Sequence, residues 1–102
     1  MSHPSLKLDD TVHQRVRLGI LAVLEEAKRA DFSYLRDALD LSDGNLSRHI
    51  QVLEEAGLVE VEKGFEGRRP RTWVASTRAG RRALADELQA LNELISRVNG
   101  AG

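Results

Sequence analysis

Apolar residues recur at helical spacing in several stretches of this chain and alternate in one. Val12, Val16, Ile20, Val23 and Leu24 fall on one helical face, and Leu21 widens it. They predict a first helix that Asp9 or Asp10 can cap and that runs to about Ala27. Its width implies that it faces a core and a second surface. Lys28 to Asp31 reads as a turn. A short second helix, about Ser33 to Leu39, carries Tyr34, Leu35, Ala38 and Leu39. Leu46, Ile50 and Leu53 then form the inward stripe of a third helix. Ser42 is its expected N-cap, with Asn45 at the third position where a capping box would place Glu or Gln. Gly57 is its expected left-handed C-cap. The short Asp40-Leu41 link between the second and third helices suits a helix-turn-helix.

Leu58 to Lys63 alternates as a half-buried strand does, and Arg71 to Ala75 answers it across the Gly64 to Pro70 turn as an antiparallel hairpin. Pro70, lacking an amide proton, belongs at the loop side of the second strand. Thr77 can cap a final helix to about Val98. Its apolar positions Leu84, Leu88, Leu91, Ile95 and Val98 are spaced alternately by four and three, a seam pattern. A helix this long and regularly striped is expected to pair with a second copy, helped by Val12 and Val16 of the first helix. The expected fold is mainly α with a small antiparallel β-hairpin. Residues 1–10 are expected to be a flexible arm, 11–77 the helix-turn-helix with its hairpin, 78–98 a dimerisation helix and 99–102 a disordered tail.

With 102 residues the chain is expected to hold one domain with a thin core. It has no cysteine, which excludes disulfides, thiolate metal sites and a cysteine nucleophile. Its apolar runs are too short for a membrane span, and Met1 to Ser5 lacks the regions of a signal peptide, so a cytoplasmic protein is expected. His3, His13 and His49 are isolated in sequence, so no metal site or cofactor is expected. Asp9-Asp10 and Glu54-Glu55 are adjacent pairs whose side chains diverge, and no nucleophile or phosphate-loop motif is present. Catalysis is therefore not expected.

The formal net charge of −1 hides a strong asymmetry. Residues 1–62 hold 7 Lys/Arg against 12 Asp/Glu, residues 63–82 hold 7 against 1, and residues 83–102 hold 1 against 3. One short cationic segment lies between acidic flanks, which would confine phosphate attraction to a defined patch. The same segment follows the third helix, whose outward face includes Asp43, Gly44, Asn45, Ser47, Arg48 and Gln51. An α-helix fits the major groove. Arg48 can pair bidentately with a guanine edge, and Gln51 or Asn45 with adenine; Ser47 could serve either a base or a phosphate. Gly44 permits close approach of the helix start to a phosphate. Asp43 would repel phosphates, unless it caps the helix or selects cytosine. Arg68, Arg69 and Arg71 at the hairpin tip can enter a minor groove or clamp its phosphates, and Lys63 and Arg78 are further candidate backbone contacts. Alternatively, the basic tip could bind an acidic protein partner.

The segment Leu46-Ser47-Arg48-His49-Ile50-Gln51-Val52-Leu53-Glu54-Glu55-Ala56-Gly57-Leu58-Val59 resembles the recognition helix and first wing strand of winged-helix regulators of the ArsR and MarR superfamily. Phe65 to Thr72, followed by Thr77-Arg78-Ala79-Gly80-Arg81, is closer to its small winged-helix DNA-binding domain subgroup. The resemblance covers roughly residues 9–95. It implies a winged helix-turn-helix with a long C-terminal dimerisation helix, acting as a dimeric repressor or activator on operator DNA. Base contacts would fall on Asn45, Ser47, Arg48 and Gln51, and wing contacts on Arg68, Arg69 and Arg71. Two departures stand out. The cysteines of the metal-sensing branch are absent, and Ser76 precedes the Thr77-x-x-Gly80 element where a bulky apolar residue is usual. A pocket for an unknown small-molecule effector could be lined by Trp73, Phe32 and Tyr34.

Overall fold

The computed structural model describes residues 3–100; Met1, Ser2, Ala101 and Gly102, the ends of the expected arm and tail, lie outside the described residues. A 3-10 turn, Pro4–Lys7, precedes helix α1 (Arg15–Ala27) and strand β1 (Arg29–Asp31). Helices α2 (Phe32–Ala38) and α3 (Asp43–Glu55), strands β2 (Val59–Glu66) and β3 (Arg69–Ser76), and helix α4 (Arg78–Asn99) follow. The strands form one antiparallel sheet in the order β1-β3-β2.

The stripe on α3 fixes that helix against the rest. Leu46, Ile50 and Leu53 are buried together with Ile20, Leu21 and Leu24 of α1, Leu35 of α2, Val59 and Val74 of the sheet, and Leu84 of α4. Ser42 Oγ accepts the Asn45 amide at 3.2 Å, and Gly57 just after the helix has φ 76°. Both ends therefore use the capping chemistry that the sequence suggests.

The start of α1 differs from expectation. Asp9 closes a turn instead of capping the helix: its Oδ1 accepts the amides of Thr11 at 2.8 Å and Val12 at 3.3 Å. The helix begins only after Gln14, whose side chain accepts the Arg17 amide at 2.9 Å. The turn folds Val12 into the core. Lys28 to Asp31, expected as a turn, instead supplies β1, with Ala30 buried opposite Val74. A strand of three residues is too short to show alternation.

The wing strands run closer to the tip than their alternation suggested. Glu66 pairs with Arg69, leaving Gly67 and Arg68 as a two-residue turn in which Gly67 has φ 66°. A positive φ at only the first central residue is the type II′ signature. Pro70 sits inside β3, opposite Phe65. It is tolerated because β1 pairs only with Trp73 to Ala75, so among the described residues no strand lies on the other side of Pro70.

The start of α4 is locked to the end of α3. Thr77 Oγ1 accepts the Gly80 amide at 3.0 Å and donates to the Gly57 carbonyl at 2.7 Å, while the Thr77 amide donates to the Leu58 carbonyl at 3.0 Å. A Cβ on Gly80 would lie 1.9 Å from that Leu58 oxygen, so only glycine fits the contact. The same point is 2.7 Å from Ser76 Oγ, and the serine thus packs directly against this junction. Further along, α4 buries Leu84, Glu87 and Ala90 against its own domain. Glu87, 2% exposed, accepts the Asp9 amide at 2.9 Å and lies 2.7 Å from His13 Nδ1. With the Lys7–Glu93 pair at 2.9 Å, these contacts lay the N-terminal segment along α4.

Candidate nucleic-acid interface

Because α3 buries one stripe, the helix must present its other side outward. Asn45, Ser47, Arg48 and Gln51 are all exposed there. The Gln51 amide donates to Glu55 Oε1 at 3.3 Å, a weak bond that a base edge could replace. At Gly44, apart from its chain neighbours and the helix's own backbone, no atom of the described residues lies within 4 Å of where a Cβ would be, so the helix start is open to an approaching group.

Asp43 is the apparent flaw on this face, and a residue not singled out from the sequence answers it. Arg36 of α2 donates from Nη1 to Asp43 Oδ1 at 2.9 Å and from Nε to Asp37 Oδ1 at 3.0 Å. The hydrogen bond to Asp37, and after it the one to Asp43, raises the Arg36 pKa. The carboxylate at the mouth of α3 is thus held by a cation on the neighbouring helix. No sequence pattern announces a pair that spans the turn between α2 and α3.

The wing divides its arginines. Arg68 and Arg69 are exposed at and beside the tip, as are Lys63 on β2 and Arg78 at the start of α4. Arg71, expected beside them as a DNA contact, is instead half-buried: Nη1 lies 2.5 Å from Asp31 Oδ2 and Nη2 3.8 Å from Glu66 Oε1. It ties the wing to β1. Between α3 and the wing runs a groove of about 460 Å³ with Ser47, Gln51 and Glu54 on one wall, Lys63 and Thr72 on the other, and Ile50 among the apolar lining residues.

On the opposite flank of α3, Arg17 of α1 bridges to that helix. Its Nε donates to the Thr11 carbonyl at 2.6 Å and its Nη2 to the Asp10 carbonyl at 3.3 Å, and Nη1 reaches His49 Nδ1 at 3.3 Å. A guanidinium cannot accept a hydrogen bond, so Nδ1 of His49 must, and its proton resides on Nε2. Burial first, then the charges of Arg17 and Arg48, lowers the His49 pKa.

The dimer seam expected from sequence is corrected in part. Val12, Val16 and Leu84 lie in the chain's own core at 0%, 8% and 4% exposure, and their side chains are not available to a partner. Leu88, Ile95 and Val98 are exposed, while Leu91 and Leu94 are half-buried. The three aromatics considered for an effector do not converge. Trp73, with the Arg29 guanidinium stacked 4.2 Å over its ring, lines a different cavity from Phe32, and Tyr34 is exposed.

Residues 16–95 match the family described as winged helix DNA-binding domain. An uncharacterized protein of Methanocaldococcus jannaschii is 36% identical over 83 residues, covering 81% of this chain and 90% of the relative. The solved transcriptional regulator homologue protein from Pyrococcus horikoshii OT3 superposes with a TM-score of 0.83 at 38% identity, covering 87% of this chain and 88% of the other. The transcriptional regulator MosR of M. tuberculosis, solved in complex with DNA, shares the fold with a TM-score of 0.72 at 21% identity, over 97% of this chain and 71% of its own.

Proposed function

The chain belongs to the winged helix DNA-binding domain family, and from that premise we propose that it is a transcriptional regulator that binds a specific operator in double-stranded DNA as a homodimer. In this reading α3 enters the major groove and the wing lies on the flanking backbone or minor groove. The observation that carries it is the outward face of α3. Asn45, Ser47 and Arg48 are exposed, and among the described residues their side chains form no hydrogen bond or ion pair. Fork-shaped and amide donors held unpaired on a rigid helix are what base-edge readout needs, each good pair discriminating by about 1–3 kcal/mol. Lys63, Arg68, Arg69 and Arg78 then supply backbone attraction, while the Arg36 clasp on Asp43 relieves the repulsion at the helix start.

Homodimerisation rests on the exposed Leu88, Ile95 and Val98 of α4, an apolar edge that a second copy would cover. A two-fold pair would present two copies of α3 to half-sites about one helical turn apart. Selection of bound sequences from a random duplex library tests both parts together. A palindromic motif is expected, and Arg48→Ala should relax preference at one position in each half-site. Absence of any enriched motif would overturn the reading in favour of a winged-helix module whose basic wing grips an acidic protein.

A further inference from the structure

The wing tip carries an apolar group that electrostatic clamping does not explain. Phe65 is 74% exposed, as open as any large apolar side chain among the described residues, and it stands between Gly64 and Glu66 one pair before the turn. Strand alternation sets its direction. Val59, Val61, Lys63 and Phe65 share one face of β2, and Pro70, Thr72 and Val74 share the matching face of β3. Val59 and Val74 on that face are buried, and Lys63 and Thr72 line the groove beside Ser47 and Gln51. Phe65 is therefore the next residue outward on the wing face that overlooks α3, beyond the end of the core. Its cross-strand partner is Pro70, so the tip presents a ring and a pyrrolidine side by side, with Arg68 in the turn and Arg69 on the opposite face.

We propose that Phe65, backed by Pro70, is an apolar wedge that the wing presses against deoxyribose and base edges in the minor groove flanking the α3 site. This rests on the DNA reading above and goes beyond it by assigning a non-electrostatic contact to the wing. Two features commit the tip to DNA. Exposed Arg68 and Arg69 next to the Phe65–Pro70 pair give the tip the positive charge that draws it to phosphate. The wedge continues the same face that carries Lys63 and the groove residues. Proteins that work in the minor groove also use apolar side chains to wedge apart or buttress base steps. A type II′ turn keeps the tip narrow enough to enter.

The salt dependence of binding separates this contact from that of the arginines. A phosphate contact releases counterions and steepens the dependence of affinity on salt, whereas an apolar contact does not. Wild type, Phe65→Ala, Phe65→Trp and Arg68→Ala are titrated over a range of salt against a fluorescently labelled duplex carrying the motif selected from the random library, and against the same duplex with 2-aminopurine in the steps flanking that motif. Phe65→Ala should weaken binding by roughly tenfold, as loss of a largely buried ring contact does, with an unchanged salt slope and a smaller 2-aminopurine signal. Phe65→Trp should restore both, and Arg68→Ala should instead lower the slope by about one. Wild-type affinity in Phe65→Ala, or a loss accompanied by a lowered slope, overturns the wedge and leaves the DNA reading in place. Failure of the wild type to bind any duplex overturns both.

Discussion

Exchanging Gly80 for alanine should destabilise this protein even though alanine is the better helix former. In a helix interior the exchange favours alanine by up to about 1 kcal/mol. At Gly80, however, the new methyl would lie 1.9 Å from the Leu58 carbonyl oxygen, 2.9 Å from its carbon and 2.7 Å from Ser76 Oγ. An ordinary carbon–oxygen contact is about 3.3–3.6 Å, so the helix and the chain before β2 must separate by more than an ångström. The obstacle is backbone, and that same carbonyl accepts the Thr77 amide. Overpacking by one methylene costs about 1–3 kcal/mol, and weakening the Thr77 bond adds about 1 kcal/mol. Set against the helix gain, the net loss is about 1–3 kcal/mol. Each kcal/mol corresponds to roughly 4–8 °C of Tm at this size. Urea and thermal unfolding followed by circular dichroism measure it, at matched protein concentrations because self-association would add stability. Gly44→Ala is the internal control. Apart from its chain neighbours and the helix's own backbone, no atom of the described residues lies within 4 Å of its Cβ position, and the variant should equal or exceed the wild type. If Gly80→Ala unfolded at or above the wild-type temperature, the close docking of α4 on Leu58 would not be what holds the wing's base.

Leu88→Asp should turn a dimer into a folded monomer, since Leu88 is 47% exposed within the single chain; an unchanged dimer mass in sedimentation would reject the seam. Arg36→Met should leave folding nearly unchanged but weaken duplex binding several-fold by freeing the Asp43 carboxylate, on the order of the smaller effects of charge contacts. Undiminished affinity would show that Asp43 does not face phosphate. The lowered pKa of His49 makes the unfolded chain the better proton acceptor. Its contribution is therefore complete above the ordinary value of 6.5 and is lost as pH falls through the lowered folded value. His49→Gln should accordingly lose less stability than wild type on acidification from about pH 7.5 to about pH 5, and superimposable profiles from urea unfolding would refute the argument.

The parts of the fold that were legible in the sequence are those with a repeating local signal. The Leu46, Ile50, Leu53 stripe, the Ser42 cap, and the alternation from Leu58 through Lys63 each declare an element over a few residues, and the basic tip is visible as a charge cluster. What the sequence hid depends on partners far apart in the chain. Arg71 looked like a free wing arginine because Asp31, which holds it, lies 40 residues away. Val12 and Leu84 looked like interface residues because a seam pattern records apolar spacing, not which surface covers it. The single chain already buries them. Asp9 was a plausible helix cap, but its side chain spends its acceptor on the Thr11 and Val12 amides, and that choice depends on where Val12 must go. The strand β1 owes its existence to the edge of β3 that it covers, not to any pattern in Arg29-Ala30-Asp31.

The outward face of α3, if it reads DNA as proposed, has a consequence for how such a protein can change. Asn45, Ser47 and Arg48 are exposed, and among the described residues no hydrogen bond or ion pair of their side chains ties them to the scaffold, whereas Leu46, Ile50 and Leu53 on the same helix carry the packing. Substitutions at the three outward positions therefore leave foldability almost untouched. Sequence preference can drift, or be redirected in the laboratory, without a stabilising mutation having to come first. A library randomised at those positions should yield mostly folded proteins that differ in which duplexes they choose.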